Sequence, residues 1–190
     1  MDEAYLVEKV GDILRACYSP SDYEVQNGYV HPCLSKTGRG RKPEIDSVVI
    51  NKSSDTIMIA IEAKWAGSSH CTPANILWDI VRLKILVDRN PNCTGVFLIA
   101  GHKKNIDVCF SLPFFAPGTQ HPLQQGNTRK KTFSIRANKD HQSFIEIQKN
   151  AWKKKYPNLE VPDSLVTVLE DPTKSANEVN RFVAKAWVIR

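Results

Sequence analysis

The sequence predicts an α/β fold: a three-layer α/β/α domain with a central mixed β-sheet. Three features of the 190-residue chain lead to this prediction. An apolar stripe at helical spacing opens the chain, two strands in hairpin order follow it, and a helix then leads to another buried strand. A hairpin pairs its strands antiparallel, whereas a strand–helix–strand crossover pairs them parallel, so the sheet is expected to be mixed.

The first elements are a helix over residues 3–17 and an extended segment over residues 23–31. The extended segment is either one strand or a hairpin bent at Asn27-Gly28, a common turn pair. The helix is predicted because apolar residues recur at helical spacing, namely Leu6, Val10, Ile13, Leu14 and Cys17.

The hairpin is predicted from residues 44–51 and 56–65, which alternate or are apolar on both faces and are separated by a polar turn. A helix is predicted over residues 73–89, because Thr72 is a good N-cap and Pro73 suits the first helical position. Residues 94–100 form a buried strand that we expect to be parallel to residues 56–65.

The second half carries weaker signals, and a long loop interrupts it. The predicted elements are a short helix at 103–110, a loop at 113–128, a strand at 129–136, a helix at 141–155, a strand at 164–169 and a last helix from Ser175, where Glu178 completes a capping box.

Composition excludes several classes of protein. Apolar residues make up 42% of the chain, which is too many for a wholly disordered polymer. No stretch approaches the ~20 apolar residues of a membrane span, and the start lacks the basic and apolar regions of a signal peptide. Five cysteines without a C-x-x-C pair indicate reduced thiols and a cytoplasmic protein, with Cys17, Cys93 and Cys109 in the core.

Three charged residues stand at the ends of the hairpin strands. Asp46 is on the first strand, and Glu62 and Lys64 are two residues apart on the second, so they share a face. That face is otherwise apolar, and charges there are costly unless they bind something. Two carboxylates suit a divalent cation such as Mg²⁺, and a nearby lysine can neutralise phosphate charge. A surface salt bridge at the strand ends is the simpler alternative.

The pattern of Asp46, sixteen residues, then Glu62-Ala63-Lys64 resembles the PD-(D/E)XK nuclease superfamily. The predicted order of elements is similar to its restriction-endonuclease-like αβββαβ core. Ile45 stands where the family pattern has a proline. The resemblance covers about residues 3–101 of what is expected to be a single nuclease domain, 1–190. Residues 102–190 would then be an elaboration for target recognition or dimer contacts.

The resemblance implies a metal site for Mg²⁺ or Mn²⁺. Asp46 and Glu62 would be ligands, together with the Ala63 carbonyl, and Lys64 would orient or activate the attacking water. The first helix of the family often adds an acidic residue, for which Glu3 is in phase and Glu8 is the alternative. The helix after the motif often adds a polar residue. Its candidates are Asn75, Asp79 and Arg82.

Basic clusters indicate a polyanionic partner, in agreement with a net charge of +6. Residues 153–155 are three further lysines, which are equally well explained as a solvated face. The predicted nucleic-acid-binding residues are Lys36, Arg39, Arg41 and Lys42 in a glycine-broken loop, and Arg129, Lys130 and Lys131 further along.

These features together predict a metal-dependent endonuclease that hydrolyses phosphodiester bonds in DNA, in restriction, defence or repair. Duplex DNA is the expected partner, no membrane is involved, and a homodimer is compatible with cutting both strands. The alternatives are a non-cleaving nucleic-acid-binding module on the same fold and a protein-interaction domain whose charge is incidental.

Overall fold

The computed structural model describes residues 2–34, 40–123, 130–170 and 182–190. A seven-stranded mixed sheet runs through them in the order β1-β2-β3-β4-β7-β6-β5. The α/β class predicted from the sequence is confirmed. The helices are α1 (Glu3–Cys17), α2 (Pro73–Arg89), α3 (Lys103–Ser111) and α4 (Gln142–Lys155), and the strands are β1 (Tyr23–Val30), β2 (Glu44–Asn51), β3 (Thr56–Trp65), β4 (Thr94–His102), β5 (Lys130–Ser134), β6 (Ser164–Glu170) and β7 (Phe182–Ile189).

Strand pairing agrees with the predicted hairpin and crossover. β2 pairs antiparallel with β3, and β3 pairs parallel with β4. β4 also pairs antiparallel with β7, so β4 is an internal strand of the sheet. The two strands are nearly continuous apolar runs because both faces of the sheet are covered there: Ile61 and Leu98 pack on the α1 side, and Ala60 and Phe97 pack in the larger core.

Segment 23–30 is a single strand, so of the two alternatives for this segment the hairpin is wrong. Asn27 pairs with Ser47 and Tyr29 pairs with Ile45, on either side of Gly28. Gly28 has a φ of +68°, which glycine tolerates without steric cost. The local backbone irregularity that suggested a turn therefore lies within the strand.

Helices pack on both faces of the sheet. On one face, Leu14 of α1 packs with Val49 and Ile61. Gly11 permits this approach, because a Cβ there would lie 2.7 Å from the Asn27 side chain. The opposite face carries the larger core, to which α2, α3 and α4 contribute Ile76, Leu77, Ile80, Cys109, Ile145 and Trp152.

One prediction about the core is wrong, and the prediction of a last helix is not tested. The start of that helix, Ser175 with Glu178, lies outside the described residues, and from Phe182 onwards the chain forms the strand β7. Cys17 is exposed and does not belong to the core, whereas Cys93 and Cys109 are buried.

Within the described ranges, no helix combines the length and the apolar character that crossing a bilayer requires.

Candidate active site

Asp46 and Glu62 lie at the same end of the β2–β3 hairpin. Ser47 pairs with Ile61, and continuing that register places Asp46 opposite Glu62. The backbone N–H of Ala63 donates a hydrogen bond to Asp46 Oδ2 at 2.8 Å. This bond fixes the carboxylate of one strand against the backbone of the next.

Lys64 connects three elements at this end of the sheet. Its Nζ lies 3.0 Å from Glu3 Oε1 of α1 and 2.9 Å from Asp79 Oδ2 of α2. It also donates to the Ala63 carbonyl at 3.3 Å. The side chain is only 8% exposed, so these contacts replace most of its hydration.

Arg82 holds the other side of the cluster. Its Nη2 donates to Glu62 Oε2 at 2.8 Å and to Asp79 Oδ1 at 2.6 Å. Its Nη1 donates to the Glu44 carbonyl at 2.8 Å. Residues three apart on a helix share a face, which is why α2 presents Asp79 and Arg82 together.

The cluster has more negative than positive charge. Among the described residues, four carboxylates, those of Glu3, Asp46, Glu62 and Asp79, meet two cations, Lys64 and Arg82, which gives a formal surplus of two negative charges.

Burial and the surplus of carboxylates shift the pKa values of Glu62, Asp46 and Lys64. Burial raises the pKa of Glu62 well above its ordinary value, and the neighbouring carboxylates of Asp79 and Asp46 add to that effect. Burial also raises the pKa of Asp46, against the hydrogen bond from Ala63. For Lys64, burial disfavours the charge, but Asp79, Asp46 and Glu3 outweigh it and hold the pKa above the ordinary value. The lysine is therefore a cation at neutral pH.

Two carboxylate oxygens of the cluster lack a partner. Glu62 Oε1 and Glu3 Oε2 are buried, and neither accepts a hydrogen bond from the described residues. A buried acceptor without a partner costs roughly 1–3 kcal/mol, and more when it is charged. A cation, or water held by one, would satisfy such oxygens.

The residues present fit a hard divalent cation in one respect and not in another. Asp46 and Glu62 together with the Ala63 carbonyl are an all-oxygen set, and Mg²⁺ is commonly held by one or two carboxylates plus water. However, the described ranges contain no group of three or more His, Cys, Asp or Glu side chains placed to hold a metal ion. A metal here would depend on few protein ligands.

Two clefts meet at Asp46. The first, which we name the α1 cleft, has a volume of about 460 Å³ and is lined by residues that include Glu3, Glu8 and Gly28. The second, the Trp78 cleft, has a volume of about 300 Å³ and is lined by residues that include Lys42, Trp78 and Lys155. Both clefts share Arg41, Glu44 and Asp46, which form the ridge between them.

Comparison with protein-family models, with curated proteins and with solved structures finds no match for this chain.

The structure distinguishes between the candidates that the sequence left open. Glu3 contacts Lys64, whereas Glu8 lines the α1 cleft. On α2, Asp79 and Arg82 join the cluster, but Asn75 donates its side-chain amide to the His70 carbonyl.

The predicted nucleic-acid-binding residues are scattered. Lys36, Arg39 and Arg129 lie outside the described residues. Arg41 pairs with Glu44 on the ridge, and Lys42 is exposed in the Trp78 cleft. Lys130 and Lys131 are on β5, the far edge strand, so the structure does not bring them to the cluster. At ~4.8 Å per strand, four spacings put β5 about 19 Å from β3.

Several neighbours of the site were missed at the sequence level. Trp78 packs against Trp152 and Tyr156, with ring centroids 5.0 and 5.3 Å apart, and the Arg82 guanidinium lies 5.9 Å from the Trp78 ring. The i,i+4 spacing of Trp78 and Arg82 was the available signal. The packing of α4 on α2 was not visible in the sequence.

Proposed function

We propose that this protein is a metal-dependent nuclease that hydrolyses phosphodiester bonds in DNA. The observation that carries the proposal is the buried cluster itself. Acidic side chains from α1, β2, β3 and α2 meet Lys64 and Arg82 and, among the described residues, leave a formal surplus of two negative charges. A buried charge without a partner is costly, and a bound cation would offset that cost.

Each residue of the cluster has a task in this proposal. Asp46 and Glu62 would hold the cation, with the Ala63 carbonyl beside them. When bound, a divalent cation polarises the phosphoryl group and acidifies a water molecule. Lys64 stays protonated, because its carboxylate neighbours raise its pKa. It therefore acts as a hydrogen-bond donor and positive charge toward water or phosphate, and not as a proton acceptor.

Arg82 and Asp79 are positioning residues. Arg82 donates to Glu62 Oε2 and leaves Glu62 Oε1 for a ligand. Asp79 contacts both Arg82 and Lys64, which fixes the two cations relative to each other. The order α1-β1-β2-β3-α2-β4 further supports a restriction-endonuclease-like core for residues 3–102.

A non-cleaving nucleic-acid-binding module is the second candidate. One observation favours it: Glu62 is 0% exposed and already paired with Arg82, so the carboxylate is less open than a metal ligand needs to be. In that case the cluster is a structural network, and the basic surface alone provides function.

Cleavage of fluorescently labelled duplex DNA, with Mg²⁺ or with EDTA, separates the two candidates. The panel contains the wild type, Glu62→Gln, Lys64→Ala and the control Lys103→Ala. Lys103 is an exposed lysine that pairs with Asp107 on α3 and not with a carboxylate of the cluster. A nuclease cuts only with the metal, keeps its rate in Lys103→Ala and loses at least about a hundredfold in the other two variants.

A purified wild type that binds DNA but gives no metal-dependent product would favour the binding module. Equal trace cleavage by the wild type and all variants would sink the nuclease proposal. The circular dichroism spectrum of each variant is compared with that of the wild type. Matching spectra show that a lower cleavage rate is not caused by unfolding.

A further inference from the structure

The Trp78 cleft and the α1 cleft differ in charge although they share one wall. Four of the nine residues that line the Trp78 cleft are cationic and two are acidic. Four of the nine residues that line the α1 cleft are acidic and one is cationic. The ridge at Asp46 therefore separates a basic cleft from an acidic one.

The basic cleft is held rigidly from below. Trp78 and Tyr156 stack with an interplanar angle of 19°, and Trp152 packs against Trp78. Tyr156 is 3% exposed and Trp152 is 7% exposed. Arg82, anchored by Glu62, Asp79 and the Glu44 carbonyl, closes the side nearest the cluster. With these partners already in place, little side-chain entropy remains to be lost on binding there.

Two exposed lysines lie on the rim of the cleft. Lys42 and Lys155 are both exposed and come from different parts of the chain, the segment before β2 and the end of α4. Lys155 Nζ lies 5.5 Å from the centroid of the Tyr156 ring, so its stem crosses the aromatic floor. Three lysines in the last turn of α4 also offset the helix dipole, but that role does not require Lys155 to line a cleft.

We propose that the Trp78 cleft is a phosphate-binding subsite, in which Lys42 and Lys155 hold a backbone phosphate of the nucleic-acid strand that crosses the ridge at Asp46. The inference rests on the proposed function and deepens it, since it assigns the side of Asp46 on which the strand is held. A volume of about 300 Å³ admits a phosphate with part of its sugar but not a duplex. The acidic α1 cleft repels phosphate, so the strand is gripped on the Trp78 side only.

The test measures the affinity for a labelled duplex DNA in EDTA, where no cleavage occurs, across a series of salt concentrations. The cleft variant is Lys42→Ala with Lys155→Ala. The control variant is Lys153→Ala with Lys154→Ala, which also removes two positive charges, both from the turn of α4 that carries Lys155, but from residues that do not line the cleft. All four lysines are exposed, so both variants are expected to fold.

The cleft variant is expected to lose about one phosphate contact. The slope of log K against log salt then falls by about 0.9, and affinity at 0.1 M salt falls roughly tenfold. The control variant keeps the slope. Equal slopes for the two variants, or no DNA binding by the wild type, would overturn the subsite.

Failure of the subsite and failure of the proposed function give different results. If the cleft variant lowers the salt slope of DNA binding in EDTA but the wild type makes no product with Mg²⁺, the subsite is supported and the nuclease proposal is contradicted. If the wild type cuts DNA and the cleft variant cuts it at the same rate, the nuclease proposal is supported and the subsite is contradicted.

Discussion

Arg82→Ala is expected to destabilise the protein strongly. Arg82 is 9% exposed and donates to Glu62, Asp79 and the Glu44 carbonyl. Its removal raises the surplus of buried negative charge from two to three and leaves the Glu44 carbonyl without this donor. Removing one partner of a buried ion pair costs about 3–5 kcal/mol. For a chain of this size that is a fall of roughly 6–20 °C in melting temperature.

The loss of stability in Arg82→Ala is expected to depend on pH, and the raised pKa of Glu62 sets the direction of that dependence. Its pKa in the folded state lies above the ordinary value of 4.5 and rises further when Arg82 is removed. The folded state therefore binds more protons than the unfolded state, so this contribution to stability falls as pH rises above about 4.5. The cost of Arg82→Ala is expected to be larger at pH 8 than at pH 5.5, by up to ~1.4 kcal/mol per unit within the interval in which Glu62 titrates.

Urea denaturation of the wild type and the variant at the two pH values measures this difference. Arg136→Ala is the matched control, because Arg136 pairs with Asp163 where both side chains are at least 70% exposed, and its expected cost is below about 1 kcal/mol. The double variant Arg82→Ala with Glu62→Gln should recover part of the loss. A cost for Arg82→Ala no larger than the control, or one independent of pH, would refute the description of the cluster as buried and charge-unbalanced.

Three further predictions concern the metal, Asp46 and His31. Millimolar Mg²⁺ should raise the melting temperature of the wild type and not that of Glu62→Gln, as measured by differential scanning fluorimetry; equal shifts would argue against the carboxylate site. Asp46→Asn keeps an acceptor for the Ala63 N–H, so it should retain its circular dichroism spectrum and lose cleavage. Burial lowers the pKa of His31 to about 4, so its contribution to stability falls as pH drops from 6.5 toward 4, by roughly 3 kcal/mol, and calorimetry of His31→Gln should lack that loss.

The sequence predicted the elements around the hairpin well because local signals were strong there. The N-cap Thr72, Pro73 and the apolar runs of β3 and β4 act over a few residues, and the crossover rule then fixed the parallel pair. The strand β7 was not predicted, because its place between β4 and β6 depends on residues far away in the chain.

The same limit applies to the candidate site. Spacing alone placed Asp46, Glu62 and Lys64 together, since period-2 geometry puts Glu62 and Lys64 on one face. Periodicity could not choose among the polar residues of α2, because helix rotation is set by packing. The contribution of Lys155 required the packing of α4 on Trp78, which brings together residues 77 positions apart in the chain.

Metal-dependent hydrolysis by the purified protein tests the central claim most directly. Supercoiled plasmid is incubated with the wild type in Mg²⁺, in Mn²⁺ and in EDTA, and the conversion to nicked or linear DNA is followed over time. The cluster of Asp46, Glu62 and Lys64 predicts conversion with either metal, none in EDTA, and none by Lys64→Ala. Conversion in EDTA at the same rate, or no conversion with any metal by a folded protein that binds the plasmid, would contradict it.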